Sequence, residues 1–477
     1  MTKNILFLSF SLLFVLPIIA QTHFTHVDCG TEFTVAVRSD STLWAWGFNG
    51  NGQLGLPSIA DTNVPVQVAA TRKWIFATTG AFHTFAISTD STLWGCGFNQ
   101  EGNLGKGSNE TSVLNLTQIS ATSHWRTITG GYVHSAAIRN DGTLWTTGWN
   151  MYGQLGLGDT TTRIIFSQVD TSHTWKLASA GGIMTYAIKN DGTLWGWGYN
   201  GDGELGSGNT ISQSKPTQIG SANNWVAVSA GFQFGIALKA DGTIWSWGFN
   251  GNGQLGRSTS GMLDSVVTQI GSANNWKTIA AGSGFAFAIK SDSTLWGWGY
   301  NGQGQLGISI STTISTPTQI GTDNDWKYIS GADGAIVSGS VYGLHSAGFK
   351  TAAKGICTAG ADYEGQLGNG FTSSSPQAYF DCSVAELVGV ASIPNNPAQI
   401  VIYPNPASDL AYVEIPGVSN ERVSMVIAAV NGKICMEQEA TTGAKTEINI
   451  KSLAPGSYFV SINKGQGIVY HALLIKQ

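Results

Sequence analysis

A thirteen-residue phrase, L-W-A-W-G-F-N-G-N-G-Q-L-G from Leu43 to Gly55, returns six more times along the chain. The copies end at Gly105, Gly156, Gly206, Gly256, Gly307 and Gly368, at successive spacings of 50, 51, 50, 50, 51 and 61 residues. A fixed period near 50 residues restricts the chain to a solenoid or a propeller. Each unit is one supersecondary module that buries its apolar face only against its neighbours.

Each unit parses into four short strands. Around Gly206 they are Lys215 to Ile219, taken as opening the next unit, then Trp225 to Ala230, Gly231 to Leu238 and Ile244 to Gly248. These runs are β-branched or aromatic and are bounded by Gly, Asn and Asp. The Asp241-Gly242 pair suits a tight hairpin. No segment sustains a helical period. The expectation is an all-β chain: a seven-bladed β-propeller followed by a small C-terminal β-sandwich. Trp245 and Trp247 share one strand face and pack between blades. The seventh unit carries a ten-residue insertion between Trp326 and His345. The first unit lacks a strand before Phe24, and Pro376 to Phe380 is a spare strand, so the ring is expected to close by completing one blade with both chain ends.

These residues resemble the regulator of chromosome condensation repeat family. Its hallmark is G-x-x-H-T-x-A-L, then D-G-x-(V/L)-(Y/W)-x-W-G-x-N-x-x-G-Q-L-G. The resemblance covers about residues 24–382 and implies a seven-bladed propeller. The family histidine stands at His83, His134 and His345, and is replaced by Phe33, Met184, Phe234 and Phe285. The founding member is a nuclear exchange factor for a small GTPase that binds chromatin, a remote alternative for an exported acidic chain. Secreted bacterial members include a protein inhibitor of β-lactamases.

The ends carry addresses. Lys3 and the apolar run Ile5 to Leu16 form a secretory signal peptide over residues 1–20, cleaved between Ala20 and Gln21. No other stretch reaches the ~18 apolar residues of a membrane helix. The propeller is expected over 21–382 and a linker over 383–399, the region of cleavage. Residues 400–477 form alternating strands with N-G and P-G turns. They resemble the type A sorting domain of type IX secretion in Bacteroidota. The motif residues are Tyr403, Pro404, Asn405, Pro406 and the terminal Lys476, with Ala429 in place of a common Asp. That resemblance implies the type IX machinery as a partner and a secreted or surface-attached product.

With 24 Lys+Arg against 29 Asp+Glu, a net charge of −5 and no basic run, nucleic acid is not an expected partner. The five cysteines, at irregular spacing and without C-x-x-C, suggest neither a disulfide framework nor zinc. Cys96 and Cys357 occupy tryptophan positions and are expected to pack. Three pairs resemble sites without forming one: His23 with His26 as a metal pair, Asp323 with Asp325 as half a calcium loop, and Asp202 with Glu204 as paired acids. Asp323 and Asp325 are read as a turn, and Asp202 and Glu204 as solvated turn residues. No G-x-S-x-G, H-E-x-x-H or P-loop is present, and no cofactor is expected. Sixteen of the 17 tryptophans recur at strand positions, which marks them as core; Trp149 is the exception.

Function is therefore expected in variable loops on a rigid ring. These are Leu56 to Val64, Arg257 to Val266 and the insertion after Gly331, with Asp333, Ser338 and Tyr342 as a candidate binding loop. The reading is a non-enzymatic scaffold for a protein or glycan. The alternative is a hydrolase or lyase in the central channel, which the G-x-x-H-T positions are expected to line. Glu32 is the one acid close to them, where such chemistry needs paired acids or a metal cluster.

Overall fold

The computed structural model describes residues 23–382, 384 and 401–476, apart from 121, 123, 260, 310–312, 333–335, 338–339, 342–343, 352–354, 404–406, 415–421, 430–433, 442–444 and 465–466. These residues form seven four-stranded antiparallel sheets, and two more sheets in the tail. No α-helix occurs among them. The innermost strands of blades 1 to 7 are Phe24–Cys29, Trp74–Thr79, Trp125–Gly130, Trp175–Ala180, Trp225–Ala230, Trp276–Ala281 and Trp326–Gly331.

Ring closure differs from the expectation. Every blade is built from one uninterrupted stretch of chain: blade 1 runs from Phe24 to Val68 and blade 7 from Trp326 to Asp381. The strand after each G-Q-L-G turn folds back onto the L-W-x-W-G strand it has just left, as in the pairs Trp245↔Gln269 and Ser246↔Thr268. It is the outer strand of its own blade, not the opening strand of the next. Pro376 and Phe380 accordingly lie in the outer strand of blade 7. Antiparallel return is local and needs no exchange across the ring.

The seam between blades 7 and 1 is sealed by side chains. The main-chain oxygen of the second residue in each G-Q-L-G phrase points into the next blade. Trp197 Nε1 donates to the Gln154 oxygen at 2.9 Å, Trp247 to Glu204 at 2.6 Å and Trp298 to Gln254 at 2.9 Å. At the seam, Trp46 Nε1 and Thr34 Oγ1 each donate to the Gln366 oxygen at 2.9 Å. All four indoles are fully buried. The expectation for Trp247 holds, with a reason for its place: a buried indole needs an acceptor, and a turn carbonyl supplies it.

A second stitch circles the inner strands. Thr129, Ser179 and Ser229 accept from the main-chain N–H of Ala180, Ala230 and Ala281 in the following blade, at 3.3, 3.0 and 2.9 Å. Asp28 performs this task in blade 1, accepting from Thr79 N at 2.9 Å and from the hydroxyls of Thr78 and Ser330 at 2.7 Å each.

The cysteine expectation also needs correction: Cys357 and Cys382 form a disulfide. Cys357 holds the first-tryptophan position of its strand, whose cross-strand neighbour in other blades is glutamine, as in Trp94↔Gln118. Thr358 pairs with Asp381, which brings Cys382 beside Cys357. Spacing along the chain hides a pair that strand register makes adjacent. Cys29 and Cys96 are buried free thiols and Cys435 is exposed.

The tail packs a three-stranded sheet (Val401–Tyr403, Leu410–Glu414, Lys445–Asn449) and a four-stranded sheet (Ile434–Thr441, Arg422–Ala429, Gly456–Lys464, Gly467–Lys476). One core joins them, including Val413, Met425, Ile448, Val460 and Leu474.

Candidate binding face

The inner strands bound a central cavity of about 590 Å³. Its wall is made by the strand that begins with Trp, not by the G-x-x-H-T positions, which corrects the expected lining. Facing it are His26, Asp28, Phe76, Leu177, Ser229 and Tyr328 among others. Asp28 is the carboxylate of this wall, and both its oxygens are held by the hydroxyl stitch. His26 sits between Phe76 and Tyr328, with ring centroids 4.5 and 5.2 Å away. His23 is exposed.

The G-x-x-H-T histidines lie inside the blades. His83, His134 and His345 share hydrogen bonds with Ser135, Thr185 and Thr34 of the next blade at 3.2, 2.9 and 2.9 Å. Burial pulls their pKa values down to about 3, 4 and 3, so the imidazoles are neutral and structural. Among the described residues no group of three or more His, Cys, Asp or Glu could hold a metal ion.

Glu32 stands at the lip of the ring, in the loop between the first two strands of blade 1. Burial and the nearby carboxylates of Glu364 and Asp61 raise its pKa. Asp202 is half-buried, and Glu204 is fully buried, against the expectation of solvated turn residues. Glu204 fills the place of Gln53, Gln154, Gln254 and Gln305 in the other turns. Its Oε2 accepts from Asp202 N at 2.8 Å, as Gln154 Oε1 accepts from Tyr152 N at 3.0 Å. Desolvation lifts its pKa to about 8. Asp323 ion-pairs with Lys350 at 2.7 Å.

The same loops form a continuous lip. Thr31 N donates to Ala81 O at 3.0 Å, Ala81 N to Gly131 O at 3.1 Å, Tyr132 N to Gly181 O at 3.1 Å and Phe232 N to Ser283 O at 3.3 Å. On this rigid ring half-buried aromatic side chains touch edge to face. Phe82 meets Phe98 at 6.4 Å and Tyr132 at 5.8 Å, and Tyr132 meets Phe232 at 5.8 Å. Gly182 lies between the last two; a Cβ there would come within 2.7 Å of the Phe232 ring. Farther out, Trp149, Tyr152 and Tyr199 continue the pattern at 5.5 and 4.9 Å. Sequence reasoning missed this arc because it searched recurring positions. Phe82, Tyr132 and Phe232 occupy the x positions of G-x-x-H, where the units differ, and that variation was the available signal.

Of the residues expected to bind, Asp333, Ser338 and Tyr342 lie outside the described residues, as do Ala20, Gln21, Pro404, Asn405 and Pro406. A two-stranded hairpin, Ile336–Val337 with Ser340–Val341, is described within the insertion. In the tail, Tyr403 pairs with Tyr412. Lys476 and Ala407 form a parallel bridge, and Lys476 Nζ lies 3.7 Å from Asp409. Lys476 thus meets the start of the tail at Ala407 and Asp409.

The model of the RCC1-like domain matches residues 13–237, and models of the regulator of chromosome condensation repeat match 225–254, 276–305, 241–289 and 292–335. The model of the secretion system C-terminal sorting domain matches residues 401–476. The chain is a propeller of regulator of chromosome condensation repeats with a secretion sorting tail. The sorting domain indicates export, to the cell surface or beyond it. Among the described residues no helix is long and apolar enough to cross a membrane.

Among curated relatives of these repeats, the ultraviolet-B receptor UVR8 of Arabidopsis thaliana is 33% identical over 136 residues, 28% of this chain and 31% of the receptor. The X-linked retinitis pigmentosa GTPase regulator of Canis lupus familiaris is 29% identical over 141 residues, 29% of this chain and 14% of that protein. The chain thus spans less than a third of the length of either. Among solved structures, human WBSCR16 superposes with a TM-score of 0.62 at 20% identity, over 72% of this chain and 93% of that one. Prp20p of Saccharomyces cerevisiae, described with its binding to Gsp1p and histones, gives 0.63 at 18% identity, over 76% and 87%. These likenesses establish the propeller fold.

Proposed function

We propose that this chain is a non-enzymatic propeller, exported by type IX secretion through its tail, which captures an extracellular protein partner on the aromatic lip. The observation that carries this reading is the arc Phe98–Phe82–Tyr132–Phe232. Aromatic side chains held on a rigid frame lose little entropy on binding and anchor interfaces well. Receptor and regulator relatives support a binding role over a catalytic one. The cavity wall argues against the channel hydrolase: among the described residues it offers one carboxylate, whose oxygens are already committed.

The test is capture from the culture surface and medium by the immobilised chain. A partner retained by the wild type should be lost when Phe82, Tyr132 and Phe232 are changed to alanine, and kept when the exposed Ile211 is changed to serine. Equal retention by the triple variant overturns the assignment of the face. Turnover of a polymer substrate by the wild type overturns the non-enzymatic reading.

A further inference from the structure

Seven blades expose seven outer edge strands. An unprotected edge offers main-chain donors and acceptors to any strand it meets. Two protective devices recur around this ring. The first is proline: Pro65, Pro216, Pro317 and Pro376 lie in the edge strands of blades 1, 4, 6 and 7. The second is a glycine clip from the preceding blade. Gly107, Gly158, Gly208 and Gly370 each donate N–H at 2.8 Å to a main-chain oxygen of the next edge strand: Ile164 in blade 3, Ser214 in blade 4, Ser265 in blade 5 and Asn63 in blade 1.

Blade 2 has neither device. Its edge strand Ser112–Gln118 reads S-V-L-N-L-T-Q. In the turn before it, Pro57 stands where later turns carry Gly107, Gly158 and Gly208. Proline has no N–H to donate, and among the described residues no such clip reaches Leu114, the counterpart of Ile164. The strand also carries no charge, whereas the edge strands of blades 3, 4, 5 and 7 contain Arg163, Lys215, Asp264 and Asp381. Leu114 is 39% exposed and Asn115 is exposed beside it.

We propose that Ser112–Gln118 is a homodimerisation edge, on which a second copy of this chain pairs the same strand antiparallel about a two-fold axis. Self-pairing fits this strand because an isologous contact sets each residue against its own sequence, and an uncharged strand then meets no like charge. A register centred on Asn115 sets Leu114 of one copy opposite Leu116 of the other. The charged edges of blades 3, 4, 5 and 7 lack that compatibility.

Sedimentation velocity of the full exported chain, from ~1 to ~200 μM, tests the proposal through the mass-action response of a dimer. The wild type should show a reversible monomer–dimer equilibrium. Leu114→Lys adds a charge at an exposed site. Pro57→Gly restores the missing N–H. Leu116→Pro installs the proline that blades 1, 4 and 6 hold at the same register. Each should weaken association at least ~10-fold, and Asn115→Cys should give a disulfide-linked dimer across the axis. A wild type that stays monomeric at the highest concentration overturns the proposal, including the case in which the edge accepts a strand from a different protein. So does a dimer whose affinity is unchanged by both Leu114→Lys and Pro57→Gly. These two exposed sites keep the test decisive if Leu116→Pro, which touches the core, lowers the melting temperature.

Discussion

The indole of Trp46 donates to the main-chain oxygen of Gln366 at 2.9 Å, across 320 residues of sequence, and repeats the bond that Trp197 makes to Gln154 within the ring. The first and last blades therefore meet as blades 3 and 4 do.

Trp46→Phe and Trp197→Phe should accordingly destabilise the fold by similar amounts. Each removes one of two hydrogen bonds to its carbonyl, which keeps the hydroxyl of Thr34 or Thr185, at a cost of ~0.5–1.5 kcal/mol. Thermal unfolding checks this. A seam variant that is markedly more damaging than the internal one would mean that closure depends on something besides the shared latch.

Glu204 sets a pH dependence. Its folded pKa of about 8 lies above its ordinary value of 4.5. The unfolded chain therefore releases this proton first as pH rises, and stability falls from about pH 4.5 through about pH 8. Glu204→Gln restores the residue of the other turns and keeps the bond to Asp202 N. It should flatten that limb and add ~1–4 kcal/mol at pH 8. Urea titrations at pH 5 and pH 8 measure it; an unchanged slope would contradict the assignment.

The disulfide should be structural. Closing a loop with a sequence separation of 25 between Cys357 and Cys382, it is expected to contribute ~3 kcal/mol, lost on reduction or in a Cys357→Ser, Cys382→Ser variant. Maleimide labelling of the native protein should modify Cys435 alone. Cys29 and Cys96 are buried, and burial raises their thiol pKa values. Denaturation without reductant should raise the labelled thiols to three.

Export should depend on the contact of Lys476 with Ala407 and Asp409. Deleting residues 400–477 should hold the propeller inside the cell envelope. Lys476→Asp should reduce the exported fraction, and adding Asp409→Lys should recover part of it by reversing the ion pair. Fractionation gives the readout. No recovery in the double variant would mean that the machinery reads the lysine itself.

The number of blades, their strands and the placing of Trp247 were legible because a 50-residue period multiplies every local signal by seven. Where a blade begins was not. A repeat has no natural phase, so the strand after Gly206 fits either neighbour until its partner is known, and Trp245↔Gln269 decides it. Cys357 and Cys382 escaped notice for a related reason: their adjacency is a property of register. Glu204 looked solvated because the matching residues of the other turns are Asn and Gln, yet the turn is driven into the next blade. The lip aromatics were not legible in the period, since recurrence singles out packing and passes over Phe82, Tyr132 and Phe232.

Blades that each complete themselves also dictate an order of assembly. Every strand pairing is made with chain just synthesised or just translocated, so the entropic cost of closing a long loop is met once, when Gln366 reaches Trp46. A chain threading through a membrane pore can finish six interfaces in sequence and leave one for its release. The same independence frees the ring's history: a unit of 50 residues can be gained or lost by duplication without splitting any sheet, with only the circumference to readjust.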